Sequence, residues 1–562
     1  MKEEMEEQTH MLQESFDFQV KERSFYEVLG QKYPHSPLQD NNYHSSNGSR
    51  HPIDLNTPTD NFVYFRKGVD DASKFLPSGS KLLGINDALV QNPKEGEIKE
   101  GKVRQTGENA CGEERSKKLP AVYTESNNVP KEEFDDVLLY AVGECDKKFE
   151  ARRTYMQNAR SKSMQHSGLA KGYNGAMGRR SKKMEVIDLR SLLISCAKSI
   201  AADDRLAADE FLKQIRQHSS PFGDGSQRLA HYFADGLEAR LAGTGSQIHK
   251  SLVYKLTITS DYLRAYHTFL ASSPFGTISI FVANKLIAIK SEKAMRVHVI
   301  DFGIHYGFQW PTFIQSLAER EGGPPKLRIT GIDFPQAGFR PAERIEETGC
   351  RLAHYAETFN VPFEYNAIAQ RWETIKIEDL KIEEGEFVAV NCLYRAQNIR
   401  DEIGLEESSR TMVLNLIRKI NPDIFIHGIV NGAYGVPFFL TRFREALFCF
   451  SAVYDMLETN IPRESPERML IETGIFGKEA LNVIACEGWE RVERPETYKQ
   501  WRLRHLRSGF VQVPFERELM DSAMYKVRKF YHREFVIDED NNWLLMGWKG
   551  RTIYAMSCWQ PV

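Results

Sequence analysis

VHVIDFGIHYGFQW, residues Val297 to Trp310, is the stretch on which the fold turns. Four β-prone residues run into Asp301, Gly303 and Gly307 follow four apart, and an aromatic segment leads to Pro311, near a first helical turn where a missing N–H costs nothing. In open α/β sheets a ligand binds beyond the carboxyl ends of the strands, at the first βα turn, where glycines let the backbone come close. Asp301 and Gly303 stand where an Asp-x-Gly-x-Gly-x-Gly methyltransferase loop would place them. Asp333 ends the next strand, where such enzymes hold ribose hydroxyls with a carboxylate. The middle glycine, however, is His305, with the bulk of Ile304 and Tyr306 on either side, so a side chain occupies volume a cofactor would cross. Spacing alone leaves two readings: a pocket lined by Asp301, Gly303, His305, Gly307 and Asp333, or a turn kept for the fold. The expectation is no cofactor and no metal.

Outward from this turn, LRITGID, PFEYNAIA, FVAVNC and DIFIHGIV read as strands, alternating with helical patterns from Pro341 and over Thr411–Lys419. Such alternation means right-handed βαβ units and a parallel sheet covered on both faces. FVID, WLLMGW and TIYAMSCW are separated only by DEDNN and KGR, the short turns of antiparallel strands. The expected fold is α/β: a Rossmann-like, class I methyltransferase-type sheet, mostly parallel, ending in an antiparallel hairpin. In DLRSLLISCAKSI, the residues Leu189, Leu192, Leu193, Cys196, Ala197 and Ile200 share one helix face. An α-helical cap over 185–290 is expected before a core over 291–562.

The N-terminal third differs in composition. Residues 1–150 carry 19 Lys+Arg against 28 Asp+Glu, whereas 151–184 carry nine basic residues and no acidic one. All seven tryptophans lie from Trp310 onward. Residues 1–150 therefore read as an acidic, largely disordered region unable to bury enough apolar surface to offset its ordering entropy. Within it, KEEFDDVLLY (131–140) mixes carboxylates with apolar residues, as activation segments do, and equally suits a short helix docked on the body. The 151–184 linker contains RRSKK, so Arg179, Arg180, Lys182 and Lys183 form a nuclear-import candidate. The same strap could instead touch nucleic acid electrostatically.

Eight dispersed cysteines with no Cys-x-x-Cys pair suit a reducing compartment rather than a disulfide framework or zinc site. No apolar run reaches the roughly 18–20 residues of a membrane span, and the Met-Lys-Glu-Glu start is unlike a signal peptide, so a soluble intracellular protein is expected. No catalytic constellation stands out. His298 and His427 fall on strands and suit core or pocket lining; Asn391-Cys392 ends the fourth strand, where some methyltransferases place catalytic residues. RVERPETYKQW (491–501) reads as a solvated charged face.

VHVID with FGIHYGFQW resembles the VHIID motif of the plant GRAS proteins, and DLRSLLISCAKSIAADD resembles their first leucine-rich heptad region. IPRESPERMLIETGIFGKEALNVIACEG sits where the PFYRE block belongs, Arg491-Val492-Glu493 matches RVE, and Trp501 to Gly509 with Ser557-Cys558-Trp559 matches the SAW region. The match runs from about Asp188 to the C-terminus, with the wording of residues 214–243 and 324–344 nearest the scarecrow-like branch. The resemblance implies a plant transcriptional co-regulator in the nucleus, bound to DNA-bound transcription factors. The slightly acidic body without a zinc-finger, basic-zipper or helix-turn-helix signature predicts weak or no direct DNA contact, and the lack of an apolar span predicts no membrane association. Activation is favoured by the acidic N-terminus. Leu189, Leu192 and Leu193 form an LxxLL sequence able to fill a partner groove, or to continue the cap's own core. Homo- or heterodimerisation through the helical region is a further expectation. The competing expectation is an S-adenosylmethionine-dependent methyltransferase or a small-molecule sensor using the same pocket.

Overall fold

The computed structural model describes residues 131–139, 143–169, 187–255, 260–336, 338–400 and 408–562 of the 562-residue chain. Two helices come first, α1 (Lys131–Leu138) and α2 (Gly143–Leu169). The helical run follows as α3 (Leu189–Ala201), α4 (Arg205–His218), α5 (Gly225–Leu241), α6 (Gly245–Lys255), α7 (Ser260–Ser272) and α8 (Pro274–Lys290). Asp188, Asp204 and Asp224 accept backbone N–H groups at the starts of α3, α4 and α5, satisfying donors a helix cannot pair internally.

Strand and helix then alternate: β1 (Arg296–Phe302), α9 (Trp310–Ala318), β2 (Lys326–Asp333), α10 (Glu343–Thr358), β3 (Phe363–Ala369), β4 (Phe387–Leu393), α11 (Ser409–Ile420) and β5 (Ile424–Val430). Three helices interrupt the sheet, α12 (Phe439–Asn460), α13 (Pro466–Ile471) and α14 (Lys478–Ala485), with one π-helical turn over Glu472–Gly477. The chain ends with α15 (Tyr498–Arg507), β6 (Phe510–Val513), α16 (Arg517–Phe530), β7 (Phe535–Asp540), β8 (Trp543–Trp548) and β9 (Arg551–Pro561). The strand order is β3-β2-β1-β4-β5-β9-β8-β7, with β1 to β5 parallel and β9, β8 and β7 antiparallel. This is the expected methyltransferase-type sheet. The four-residue β6, pairing the end of β9, is too short to have announced itself.

Side-chain alternation along β1 splits the core in two. Val297 and Val299 join the cluster under the cap; Ile300 and Phe302 join the cluster on the other face, with α11 and Trp372, Trp501, Trp543 and Trp559. His298 and His427 are buried on strands, as read.

Three features differ from the sequence reading. The cap is discontinuous, because α12 and α14, from beyond residue 291, pack on α5. Ordered helix also precedes residue 185: Phe134, Val137 and Leu138 of α1 and Phe149, Arg153 and Met156 of α2 are buried in the body. KEEFDDVL is thus a docked helix. RVERPETYKQW is not a solvated face: Arg491, Glu493 and Trp501 are buried, because Asn482 Oδ1 accepts the Val492 and Glu493 N–H groups at 2.9 Å each and holds this segment against α14.

Candidate functional site

The glycine turn is held to β2, since Gly303 and Ile304 both donate their N–H to the Ile332 carbonyl, at 2.8 and 3.1 Å. Gly303 has φ +102°, and a Cβ there would stand 2.4 Å from Arg395 Cγ. Gly307 has φ +72°, and its Cβ would meet Thr348 Cγ2 at 2.8 Å. Both glycines are required by backbone conformation and close approach. His305, where a third glycine would stand, takes φ 51°, which a histidine tolerates better than most residues.

All five sequence-predicted pocket positions meet at this turn, but its two carboxylates are already engaged. Asp301 Oδ2 accepts from Trp310 Nε1 at 2.8 Å, and Oδ1 accepts from Asn391 Nδ2 at 3.1 Å. Asn391 also donates to Gln309 Oε1 at 3.1 Å, and Gln309 Nε2 donates to Asn284 Oδ1 of α8 at 3.0 Å, so the network ties β1 and β4 to the cap. Burial pushes the Asp301 carboxyl up to about 7, against the pull of its Asn391 and Trp310 donors. Asp333, fully buried, accepts the Phe334 N–H at 2.8 Å, Arg344 Nη2 at 2.9 Å and Arg395 Nη2 at 3.3 Å. The carboxylate that would hold ribose hydroxyls is therefore saturated by two guanidiniums.

The space above the turn is filled with rings. Tyr266 of α7 stacks on Phe308 with centroids 4.5 Å apart, while Tyr306 lies 5.8 Å from Tyr262 and 5.6 Å from Phe308. Arg344 sits 5.8 Å over the Tyr306 ring. Burial, then the nearby Arg344 and Arg395, hold the His305 imidazole well below its ordinary value and hence neutral. Cys392 is buried and its thiol is pushed upward by that burial, so it is no poised nucleophile. The residues at this turn do not fit a nucleotide cofactor. Among the described residues no group of three or more His, Cys, Asp or Glu side chains converges on a metal position.

Sequence reasoning missed Arg344 and Arg395. The only available signal was that a buried aspartate needs a counter-charge, which does not say where along the chain it comes from.

The other motif blocks serve the seam between cap and core. Arg228 of α5 donates to Glu472 Oε1 at 2.9 Å and Oε2 at 3.1 Å, Arg468 pairs with the same carboxylate, and all three side chains are fully buried. Burial raises the Glu472 carboxyl while the two arginines pull it down. Arg491 donates to the Gly435 carbonyl at 3.0 Å, and burial together with Arg442 and Arg494 lowers its guanidinium to about 9. Of the LxxLL leucines, Leu193 is buried in the main core and Leu189 and Leu192 pack half-buried against it. Presenting all three to a partner would require α3 to leave the body. Arg179, Arg180, Lys182 and Lys183 lie outside the described residues. Among the described residues no single helix is long and apolar enough to cross a membrane.

A family model for the GRAS domain matches residues 189–560. The chain belongs to the GRAS family. Scarecrow-like protein 9 of Arabidopsis thaliana is 48% identical over 634 residues, spanning 100% of this chain and 87% of that protein. Scarecrow-like transcription factor PAT1 of the same plant is 33% identical over 374 residues, covering 66% of this chain and 76% of its own length. The crystal structure of SCL7 in Oryza sativa superposes with a TM-score of 0.56 at 28% identity, covering 66% of this chain and all of that one. As a GRAS protein of the scarecrow-like kind, the chain is a plant transcriptional regulator.

Proposed function

We propose that this GRAS protein is a nuclear co-regulator that acts through protein–protein contacts with DNA-bound transcription factors, with an activating output, and that its glycine turn is architecture rather than a working cofactor site. The observation that carries the second half is Asp333, saturated by Arg344, Arg395 and the Phe334 N–H, at a turn packed with the rings of Tyr262, Tyr266, Tyr306 and Phe308. An enzyme of this fold needs that carboxylate free and that volume open. The acidic 1–150 region supports activation, and RRSKK supports nuclear import. Dimerisation through the helical region belongs to the same proposal.

Calorimetric titration of the full chain with S-adenosylmethionine and its demethylated product tests the cofactor half. No saturable heat at millimolar ligand is expected. Micromolar binding that disappears in Asp333→Ala would replace this proposal with an enzyme or sensor. For import, a reporter fused to residues 151–184 is expected in the nucleus, and in the cytoplasm once Arg179, Arg180, Lys182 and Lys183 become Ala; cytoplasmic retention of the unaltered fusion would defeat the idea.

A further inference from the structure

The acidic-apolar helix α1 lies against α7, α2 and α9, with side-chain contacts to α10. Phe134, Val137 and Leu138, at i, i+3 and i+4, are its buried anchors. Its polar rim meets α10: Tyr355 Oη donates to Asp135, Lys131 Nζ lies 2.8 Å from His354 Nε2, and the Arg351 guanidinium sits 4.8 Å from the Phe134 ring centroid. Lys148 of α2 donates to Asp136 Oδ1 at 2.8 Å. This is the geometry by which an amphipathic helix is recognised in a groove.

The resident is poorly suited to hold its place permanently. It has eight residues, fewer than the roughly 12–15 an isolated helix needs, so leaving the groove also means unfolding. The pairing is incomplete as well: Glu133 Oε2 and Arg351 Nε are buried without partners. Burial also lowers the Arg351 guanidinium, against the pull of Glu347. Arg351 is bonded through Nη2 to Thr348 Oγ1 at 2.8 Å, while its Nε is left for a better-placed carboxylate. Only four residues, 139–142, separate α1 from α2, so attachment supplies local concentration in place of intrinsic affinity.

We propose that the groove between α7, α9 and α10 is a docking site for an acidic amphipathic helix carrying one aromatic and two aliphatic anchors at i, i+3 and i+4, and that α1 is its tethered, displaceable occupant. A partner protein presenting such a helix binds by exchange with α1. The proposal does not depend on whether the glycine turn binds a ligand or on whether the output is activation.

Hydrogen exchange on the isotope-labelled full chain tests this, with an unlabelled synthetic peptide of residues 128–141 as probe. Above the roughly millimolar local concentration of a short tether, the peptide is expected to lower protection of the chain's own residues 132–138 by about tenfold and to leave α3 and α5 unchanged. The same peptide with Phe134→Ala should do nothing. Unchanged protection at saturating peptide would overturn the proposal. In a second arm, a chain carrying Phe134→Asp and Leu138→Asp should bind the labelled peptide at least about tenfold more tightly than wild type, with the gain lost on adding Arg351→Ala. Equal affinity for the two chains would overturn it too. Should the Asp variant fail to fold, the exchange measurement on the wild type decides alone.

Discussion

Two regions of this molecule hold buried charge in opposite ways. At the C-terminal edge of the parallel sheet, where the sequence looks most like an enzyme, Asp333 is closed off by arginines from α10 and from the segment after β4. At the seam between cap and core, where the sequence looks merely charged, Arg228, Arg468 and Glu472 are fully buried and join α5 to the α13 segment. The edge has the geometry of a ligand site with its carboxylate taken up by the protein's own arginines. The seam spends ion pairs on attaching the helices that set this fold apart from a bare Rossmann sheet. In both places the motif residues are engaged by the body itself.

Removing one member of the seam triad should have the largest effect. Glu472→Ala takes from Arg468 its carboxylate and leaves Arg228 only Glu458, at 2.5 Å, in a dry interior, and breaking a buried pair this way costs about 3–5 kcal/mol. Denaturant unfolding of the full chain should show that loss, with cap and core ceasing to melt together. A loss below about 1 kcal/mol would mean that water reaches the triad and that the contrast with the sheet edge is false.

Leu193→Ala comes next, at about 2–4 kcal/mol for a leucine fully packed in a core, with Leu189→Ala well below it. A stable Leu193→Ala protein that loses a partner would instead restore LxxLL as an exposed docking sequence.

Asp301 sharpens the comparison through pH. Its carboxyl lies at about 7 in the folded chain, against an ordinary value near 4 when unfolded, so the native state holds its proton over a range where the unfolded state has released it. The resulting stabilisation is complete below about pH 4 and is lost as pH rises to about 7, at roughly 1.4 kcal/mol per pKa unit of separation. Urea unfolding at pH 5, 6, 7 and 8 should show a downward slope that Asp301→Asn flattens. An unchanged slope in the variant would assign the pH dependence to another group.

What the sequence disclosed follows from the range of the interactions concerned. Strand-helix alternation, the glycine turn and the leucine face of α3 are local patterns, and the sheet topology follows from them through the crossover rule. The discontinuous cap is not local, since α5 meets α12 and α14 more than two hundred residues later. Nor are the partners of Asp333, Arg344 and Arg395, visible from any spacing. RVERPETYKQW misled because charge density normally means water, and the residue that buries it, Asn482, looks like any other helical asparagine. KEEFDDVLLY carried both of its readings openly, and only the burial of Phe134, Val137 and Leu138 separates them.

The smallest effect, Gly303→Ala, separates backbone from contact at the turn itself. At φ +102° an alanine is strained, and its methyl would also stand 2.4 Å from Arg395 Cγ, so a total cost of about 1–3 kcal/mol is expected. The two parts can be distinguished, because the strain belongs to the backbone while the clash belongs to a side chain that can be removed. Because the methyl would also stand 2.6 Å from Arg395 Cβ, which alanine keeps, the clash disappears only in an Arg395→Gly background, where the Gly303→Ala penalty should fall by about 1 kcal/mol and leave the conformational part behind. That background also strips Asp333 of one of its two guanidiniums while Arg344 still holds the other. S-adenosylmethionine should therefore still fail to bind Arg395→Gly. Gain of binding on that single change would mean that the sheet edge is a latched ligand site, and the contrast with the seam would reduce to one arginine.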